Sequence, residues 1–68
     1  MTFEFKVGDI IKRKDGTLDG VYRFIIGIKV LSNRQASYKF YVMSHPDVTY
    51  SQGKQTLEAE WERVNERT

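Results

Sequence analysis

Cysteine is absent from the 68 residues, and histidine and proline each occur once. Without cysteine the chain cannot form a disulfide, a thiol nucleophile or a cysteine metal site, and one histidine cannot build a histidine-based metal centre. The glycine-rich patterns that hold phosphate groups, GxxxxGKS/T and GxGxxG, are also missing. We therefore expect a protein without a metal ion or a cofactor.

A catalytic assembly is missing as well. A nucleophile, a base and an orienting partner are the usual requirement, yet the only imidazole, His45, precedes Pro46 in a segment that predicts an exposed turn. Glu58, Glu60 and Glu62 follow one another at intervals of two. The carboxylates of a hydrolase instead face each other across a cleft. We expect that the protein is not an enzyme.

Long apolar runs do not occur. The longest, Val21–Leu31, is interrupted by Arg23 and Lys29 and is far shorter than the roughly 20 residues that cross a bilayer. Charged residues at positions 4, 6 and 9 exclude the apolar part of a secretory signal. The chain is also shorter than the roughly 100 to 150 residues of a typical domain. We expect one domain, residues 1–68, in the cytoplasm and away from membranes.

What the sequence does contain is alternation with a period of two, which is typical of strands with one buried face. The apolar even positions of Val21–Leu31 are Tyr22, Phe24, Ile26, Ile28 and Val30, and those of Ser37–Ser44 are Tyr38, Phe40 and Val42. The polar link 32–36 predicts a hairpin between these two strands. Pairing Leu31 with Ser37 puts the apolar faces together, with Lys29 opposite Lys39 and Gly27 opposite Tyr41.

Shorter elements flank this hairpin. We predict a turn at Val7–Asp9, a strand at Ile10–Arg13, a loop over Lys14–Gly20, a turn at His45–Asp47 and a strand at Val48–Ser51. The end of the chain has two interpretations. Thr56 could cap a helix with Leu57, Trp61 and Val64 on one face. A turn at Leu57–Glu60 before a closing strand from Trp61 to Val64 is preferred, because the sheet needs a last strand.

This arrangement resembles the small SH3-like barrels, in particular the KOW and Tudor-like group and the short stand-alone barrels of bacterial and bacteriophage genomes. The resemblance rests on Phe5–Arg13, the glycine-rich loop ending at Gly20–Val21, the strand bent around Gly27, and Leu57–Val64. It implies an all-β barrel of about five strands with a short helical turn near the C-terminus. In ribosomal and transcription factors, a KOW segment contacts RNA or protein.

Two candidate surfaces emerge. The first is a partner-binding face in which apolar residues are rimmed by basic ones, as at protein interfaces. It comprises Arg23, Ile25, Lys39, Tyr41 and Met43. A strongly curled strand could instead bury Ile25 and Met43 in the core. The second is a basic patch for RNA or DNA. It comprises Lys12, Arg13, Lys14, Arg23, Lys29 and Lys39, although basic side chains on strands can equally serve solubility.

We therefore expect a non-enzymatic binding module that docks on a partner protein. The resemblance to bacteriophage-type barrels implies a modulator or inhibitor of a bacterial host enzyme as one form of this function. The alternative is a KOW-like module that binds RNA or DNA through its basic face. The chain is expected to be a monomer or a weak homodimer that associates through a strand edge.

Overall fold

A computed structural model of the chain describes residues 2–18 and 20–64. Its elements in chain order are β1 (Ile10–Arg13), β2 (Arg23–Val30), β3 (Ala36–Val42), β4 (His45–Gly53), α1 (Lys54–Glu60) and β5 (Trp61–Arg63). The strands form one antiparallel sheet in the order β4-β3-β2-β1-β5. The prediction of an all-β protein is confirmed. Within the described residues β4 and β5 do not pair with each other, so the sheet is open.

Strand β1 has the predicted bounds, and the predicted loop after it contains two glycines in the left-handed conformation. Gly16 and Gly20 adopt positive φ angles of 81° and 86°, the left-handed region that glycine occupies without strain. Leu18 also has a positive φ, of 53°. Asp19, in the second Asp-Gly pair of this loop, lies outside the described residues. The loop therefore folds back sharply and delivers the chain to β2.

Strand β2 contains a bulge that the alternation did not reveal. Ile25 pairs with Phe40 and Gly27 with Lys39, so Ile26 is an extra residue on β2. The extra residue shifts the alternation of side chains. Ile25 is fully buried, and the next inward side chain is Ile28. The prediction that every even position of β2 faces the core is wrong, and Tyr22 and Val30 are exposed.

The hairpin between β2 and β3 has a different register from the predicted one. Val30 pairs with Ala36, and the link consists of residues 31–35. Beyond the bulge, Phe24 pairs with Tyr41. Lys39 therefore faces Gly27 rather than Lys29, whose partner is Ser37. The predicted inward face of β3 is correct at Tyr38 and Phe40, both of which are buried.

Strand β4 begins earlier than predicted. The turn lies at Met43–Ser44, and Val42 pairs directly with His45. The next paired residue is Thr49, so Pro46, Asp47 and Val48 bulge out without partners on β3. A bulge accommodates proline because proline has no N–H to donate to the ladder. The prediction of a turn at His45–Asp47 is therefore wrong, although His45 is exposed as expected.

The C-terminal part has the closing strand of the preferred interpretation, but a seven-residue helix that begins at Lys54 replaces the predicted turn at Leu57–Glu60. The helix α1 begins after Gly53 and ends at Glu60, because Trp61 is extended, with φ −120° and ψ 155°, and opens β5. The alternative helix capped by Thr56 and continuing to Val64 is wrong. Strand β5 pairs with β1, where Trp61 lies opposite Arg13.

The core lies on one side of this sheet and gathers residues from almost every element. Its buried members are Phe5, Ile11, Ile25, Tyr38, Phe40, Leu57 and Trp61, with Phe3 and Ile28 packed against them. The short helix contributes Leu57, which is fully buried. Because the core covers only the inner side of the sheet, the other side is left to solvent.

Candidate functional site

The side of the sheet opposite the core is a continuous surface, which we call the outer face. Its register is set by residues that lie directly opposite one another on neighbouring strands. Ile10, Phe24, Tyr41 and Thr49 form one row across the sheet, and Gly27, Lys39 and Ser51 form another. By the same alternation Lys12 and Lys29 belong to this face.

The centre of the outer face is aromatic. Phe24 and Tyr41 stack with their ring centroids 5.3 Å apart and an interplanar angle of 27°. Ile10 is the neighbour of Phe24 on β1. All three side chains are half-buried although no other layer of the described structure covers this face. They therefore shield one another and leave an apolar patch at the surface.

Lysines lie on two sides of this patch, Lys12 on one and Lys39 and Lys29 on the other. All three are exposed, and none of them forms an ion pair with a carboxylate in the described part of the chain, although Glu62 of β5 lies directly opposite Lys12. Gly27 lies opposite Lys39, and a Cβ atom on Gly27 would be 3.7 Å from the Cβ of Lys39. Because Gly27 has no side chain, its backbone is bare beside the Lys39 side chain. A ligand can approach the sheet closely at this point.

Two predicted site residues lie on the other side of the sheet. Ile25 is fully buried in the core, so the prediction that it contributes to a binding face is wrong, and the alternative that it belongs to the core is correct. Arg23 pairs with Val42 on the inner side, as the neighbour of Ile11 on β1. An uninterrupted alternation would put Arg23 and Ile25 on the same face as Tyr41. The bulge at Ile26 reverses this and turns both residues to the inner side.

Arg23 is held by aromatic rings. Its Cζ atom lies 3.9 Å from the ring centroid of Trp61 and 4.3 Å from that of Phe40, and its Nη1 donates to Gln52 Oε1 at 2.8 Å. Its Nε is buried without a hydrogen-bond partner in the described structure. Burial, together with the charge of nearby Arg13, lowers the pKa of Arg23. This guanidinium covers Trp61 and supports the core.

The other basic residues are also divided between surfaces. Arg13 donates to Asp15 Oδ2 at 2.9 Å and to Glu60 Oε1 at 3.1 Å, so its charge is neutralised locally. A hydrogen bond from Arg13, followed by those from Thr17, holds the pKa of Asp15 well below its usual range. Lys14 is exposed in the following loop. Of the six predicted nucleic-acid residues, Lys12, Lys29 and Lys39 share the outer face, with Lys12 on one side of the aromatic patch and Lys39 and Lys29 on the other.

Met43 lies in the turn at the end of the hairpin that carries Tyr41, and its side chain is exposed. Its backbone N–H donates to Tyr22 O at 2.9 Å, which ties the turn to the start of β2. The alternative in which Met43 belongs to the core is wrong. Phe24 and Ile10 were missed as surface residues. Only the bulge identifies Phe24 as an outward-facing residue. Nothing in the sequence of Ile10–Arg13 marks Ile10 as a surface residue.

Neither a cluster of metal ligands nor a membrane-spanning helix is present in the described residues. The described residues contain no group of three or more His, Asp or Glu side chains placed to hold a metal ion. No helix in residues 2–18 and 20–64 is long and apolar enough to cross a membrane. No protein-family model, curated protein or solved structure matches the chain. The outer face is therefore interpreted from its own geometry.

Proposed function

We propose that this protein is a non-enzymatic binding module that docks on a partner protein through the outer face. The observation that carries the proposal is the stacked pair of Phe24 and Tyr41, which leaves an aromatic patch on an uncovered sheet. Aromatic side chains at the centre of a polar rim are typical of the residues that dominate binding energy at protein interfaces. The proposal keeps Lys39, Tyr41 and Met43 of the predicted partner-binding set.

The partner that suits this surface is a protein with an apolar patch bordered by carboxylates. Lys12, Lys29 and Lys39 flank the aromatic pair. Lys29 and Lys39 have no carboxylate opposite them in the described residues, whereas Lys12 lies opposite Glu62. A complementary acidic border would speed association and select against basic surfaces. The proposal includes a cytoplasmic partner such as a bacterial host enzyme, with the chain acting as a bacteriophage-type modulator or inhibitor.

The same proposal assigns the chain to the small SH3-like barrels. Five antiparallel strands in one sheet and a seven-residue helix placed directly before the last strand support this assignment. The family likeness adds no residue roles here, because a shared fold does not by itself carry function.

A second candidate is the binding of single-stranded RNA or DNA on the outer face. Three exposed lysines that flank a half-buried aromatic stack favour it, since bases stack on aromatic rings while lysines neutralise phosphates. If three phosphates were neutralised, the logarithm of the affinity would fall with the logarithm of salt concentration at a slope of about −2. Docking on an apolar protein patch lacks so steep a dependence.

The test is affinity capture from nuclease-treated bacterial lysate, followed by binding measurements with the purified captured protein. We compare the wild type with Tyr41→Ala and with Lys39→Glu. Truncation of a central aromatic anchor is expected to weaken binding by about 2 kcal/mol, roughly 30-fold. Lys39→Glu is expected to slow association and to weaken its salt dependence.

Matched controls separate this surface from the rest of the molecule. Tyr50→Ala removes an exposed tyrosine from the inner side of β4, and Lys6→Glu reverses an exposed charge near the N-terminus. Both controls should bind the captured protein as the wild type does. Equal weakening by Tyr41→Ala and Tyr50→Ala would contradict docking through the outer face. Recovery of nucleic acid alone from a parallel lysate without nuclease, lost at high salt, would favour the second candidate.

A further inference from the structure

Strand β4 is an unprotected edge of the sheet. It pairs with β3 alone, and no other strand of the described structure lies beside it. Eight of its nine residues are exposed, and only Gln52 is half-buried. Its free side presents backbone N–H and C=O groups, which form a template for pairing with another strand.

The usual protection of such an edge is confined to one end. Natural edge strands are shielded by lysines, by proline or by bulges. Here Pro46 and the bulge protect only the segment that follows the turn. Residues 49–53, Thr-Tyr-Ser-Gln-Gly, follow the bulge and carry no charge and no proline, and the first two are good strand formers. This segment remains open to pairing.

We propose that β4 pairs antiparallel with β4 of a second copy of this chain, so that the sheets of two copies join across a two-fold axis. The axis passes between Tyr50 of one copy and Tyr50 of the other. This register places Tyr50 opposite the partner's Tyr50 and Thr49 opposite the partner's Ser51, both beyond the bulge. Residues directly opposite each other then share a face, as antiparallel pairing requires.

Tyr50 is the reason for choosing a second copy as the occupant. The residue is 47% exposed, and its ring stacks on the ring of the buried Phe40, with the centroids 5.9 Å apart. In the proposed register two Tyr50 rings meet at the axis, and the stack continues from one core to the other. Aromatic pairs directly across antiparallel strands are stabilising. The paired segments bear no like charges, and each copy has a net charge of only +2, so repulsion between copies is small.

The first test is sedimentation velocity of the full chain at concentrations up to about 1 mM, the range in which weak dimers form. We expect a monomer–dimer equilibrium in the wild type. Tyr50→Lys sets two ammonium groups opposite each other at the axis, and should raise the dimer dissociation constant about tenfold or more. Tyr50→Phe keeps the ring and should keep the dimer. Asn33→Lys adds the same charge in the exposed β2–β3 link and should also leave it unchanged.

Amide hydrogen exchange locates the interface independently of these variants. Raising the concentration of wild-type protein should slow exchange in residues 49–53 and leave the outer-face residues of β1 and β2 unchanged. A chain that stays monomeric at every concentration would overturn the proposal. So would a dimer that survives Tyr50→Lys, or protection that develops on the outer face. Circular dichroism of each variant checks that the fold is retained.

Discussion

Arg23 shows how a single residue fills a position that the apolar pattern would give to a hydrophobic side chain. Its planar guanidinium lies over two aromatic rings and hydrogen-bonds to Gln52, and it forms no ion pair with a carboxylate of the described residues. A planar group can stack in this way, whereas the ammonium of lysine is a compact and strongly hydrated charge. The energetic contribution of Arg23 therefore depends on shape as much as on charge.

Arg23→Lys is accordingly expected to destabilise the protein although it conserves the charge. Loss of the stacking over Trp61 and Phe40 should lower the free energy of unfolding by about 1 to 2 kcal/mol. Urea denaturation monitored by circular dichroism measures the change. Arg34→Lys, in the exposed β2–β3 link, is the matched control and should differ from the wild type by less than about 0.5 kcal/mol. Equal effects of the two substitutions would show that the stacking contributes nothing.

Tyr38 and Glu58 form a partly buried hydrogen bond that shifts the pKa of each of the two residues. The Tyr38 hydroxyl donates to Glu58 Oε2 at 2.5 Å, and the N–H of Glu4 donates to the same oxygen at 3.0 Å. Burial opposes ionisation of Glu58, but the hydrogen bonds from Tyr38, Glu4 and Lys54 outweigh it and lower the pKa of this carboxyl. Burial and the bond to Glu58 raise the pKa of Tyr38. The pair joins the N-terminal segment and α1 to the core.

These shifts predict opposite pH dependences. Glu58 contributes stability above its ordinary pKa of 4.5, and this contribution is lost as the pH falls through its lower pKa in the folded state. Tyr38 contributes stability that is full below pH 10.0 and is lost as the pH rises further, because the unfolded tyrosine ionises first. Glu58→Gln should therefore flatten the acid side of the stability profile and Tyr38→Phe the alkaline side. Urea unfolding between about pH 3 and 11 tests both, and unchanged slopes would contradict the assignment.

At the scale of elements, Gly27 in β2 and Gly16 in the loop after β1 show two different roles of glycine. Gly27 lies in β2 without a positive φ, and an added Cβ would make an ordinary 3.7 Å contact with the Cβ of Lys39. Gly16 has a φ of 81° and open space around its Cα. The first position therefore accepts a side chain, while the second requires a backbone conformation that side chains disfavour.

We expect Gly27→Ala to leave the free energy of unfolding unchanged or to raise it by up to about 1 kcal/mol, since alanine restricts the unfolded chain. Gly16→Ala should lower it by about 1 kcal/mol because of the left-handed backbone. Chemical denaturation of both variants beside the wild type measures the difference. A loss at Gly27 equal to that at Gly16 would indicate that β2 needs glycine at its bulge for conformational reasons.

The elements also show what alternation of apolar residues can predict. Strand β1, the inward face of β3 and the final strand from Trp61 follow from local patterns, because each is short and regular. The bulge at Ile26 does not, since an inserted residue leaves both parities of β2 apolar from Phe24 to Ile28. That ambiguity placed Ile25 on the binding face and Phe24 in the core. The turn at Met43–Ser44 was missed because Pro46 is the stronger turn signal locally, whereas the structure uses it in a bulge.

For the whole molecule, the decisive feature is that one small core unites distant parts of the chain. Phe5 from the N-terminal segment, Leu57 from α1 and Trp61 from β5 pack against Ile25 and other residues of the sheet. Few of these contacts are local in sequence, and none of the elements has a core of its own. A domain built in this way is expected to unfold in a single cooperative transition.

Leu57→Ala tests this cooperativity. Leu57 is fully buried, and its truncation should cost about 2 to 5 kcal/mol, a large fraction of the stability of a small domain. The single tryptophan, Trp61, is 1% exposed and reports the β5 end of the core by fluorescence, while far-ultraviolet circular dichroism reports the whole sheet. Both transitions should move to lower urea concentration together. Val7→Ala, at a 58% exposed side chain, should leave both in place. If Trp61 became exposed while the signal of the sheet persisted, the β2–β3–β4 hairpins would be stable without the closing strand, and the single core would not be the unit of folding.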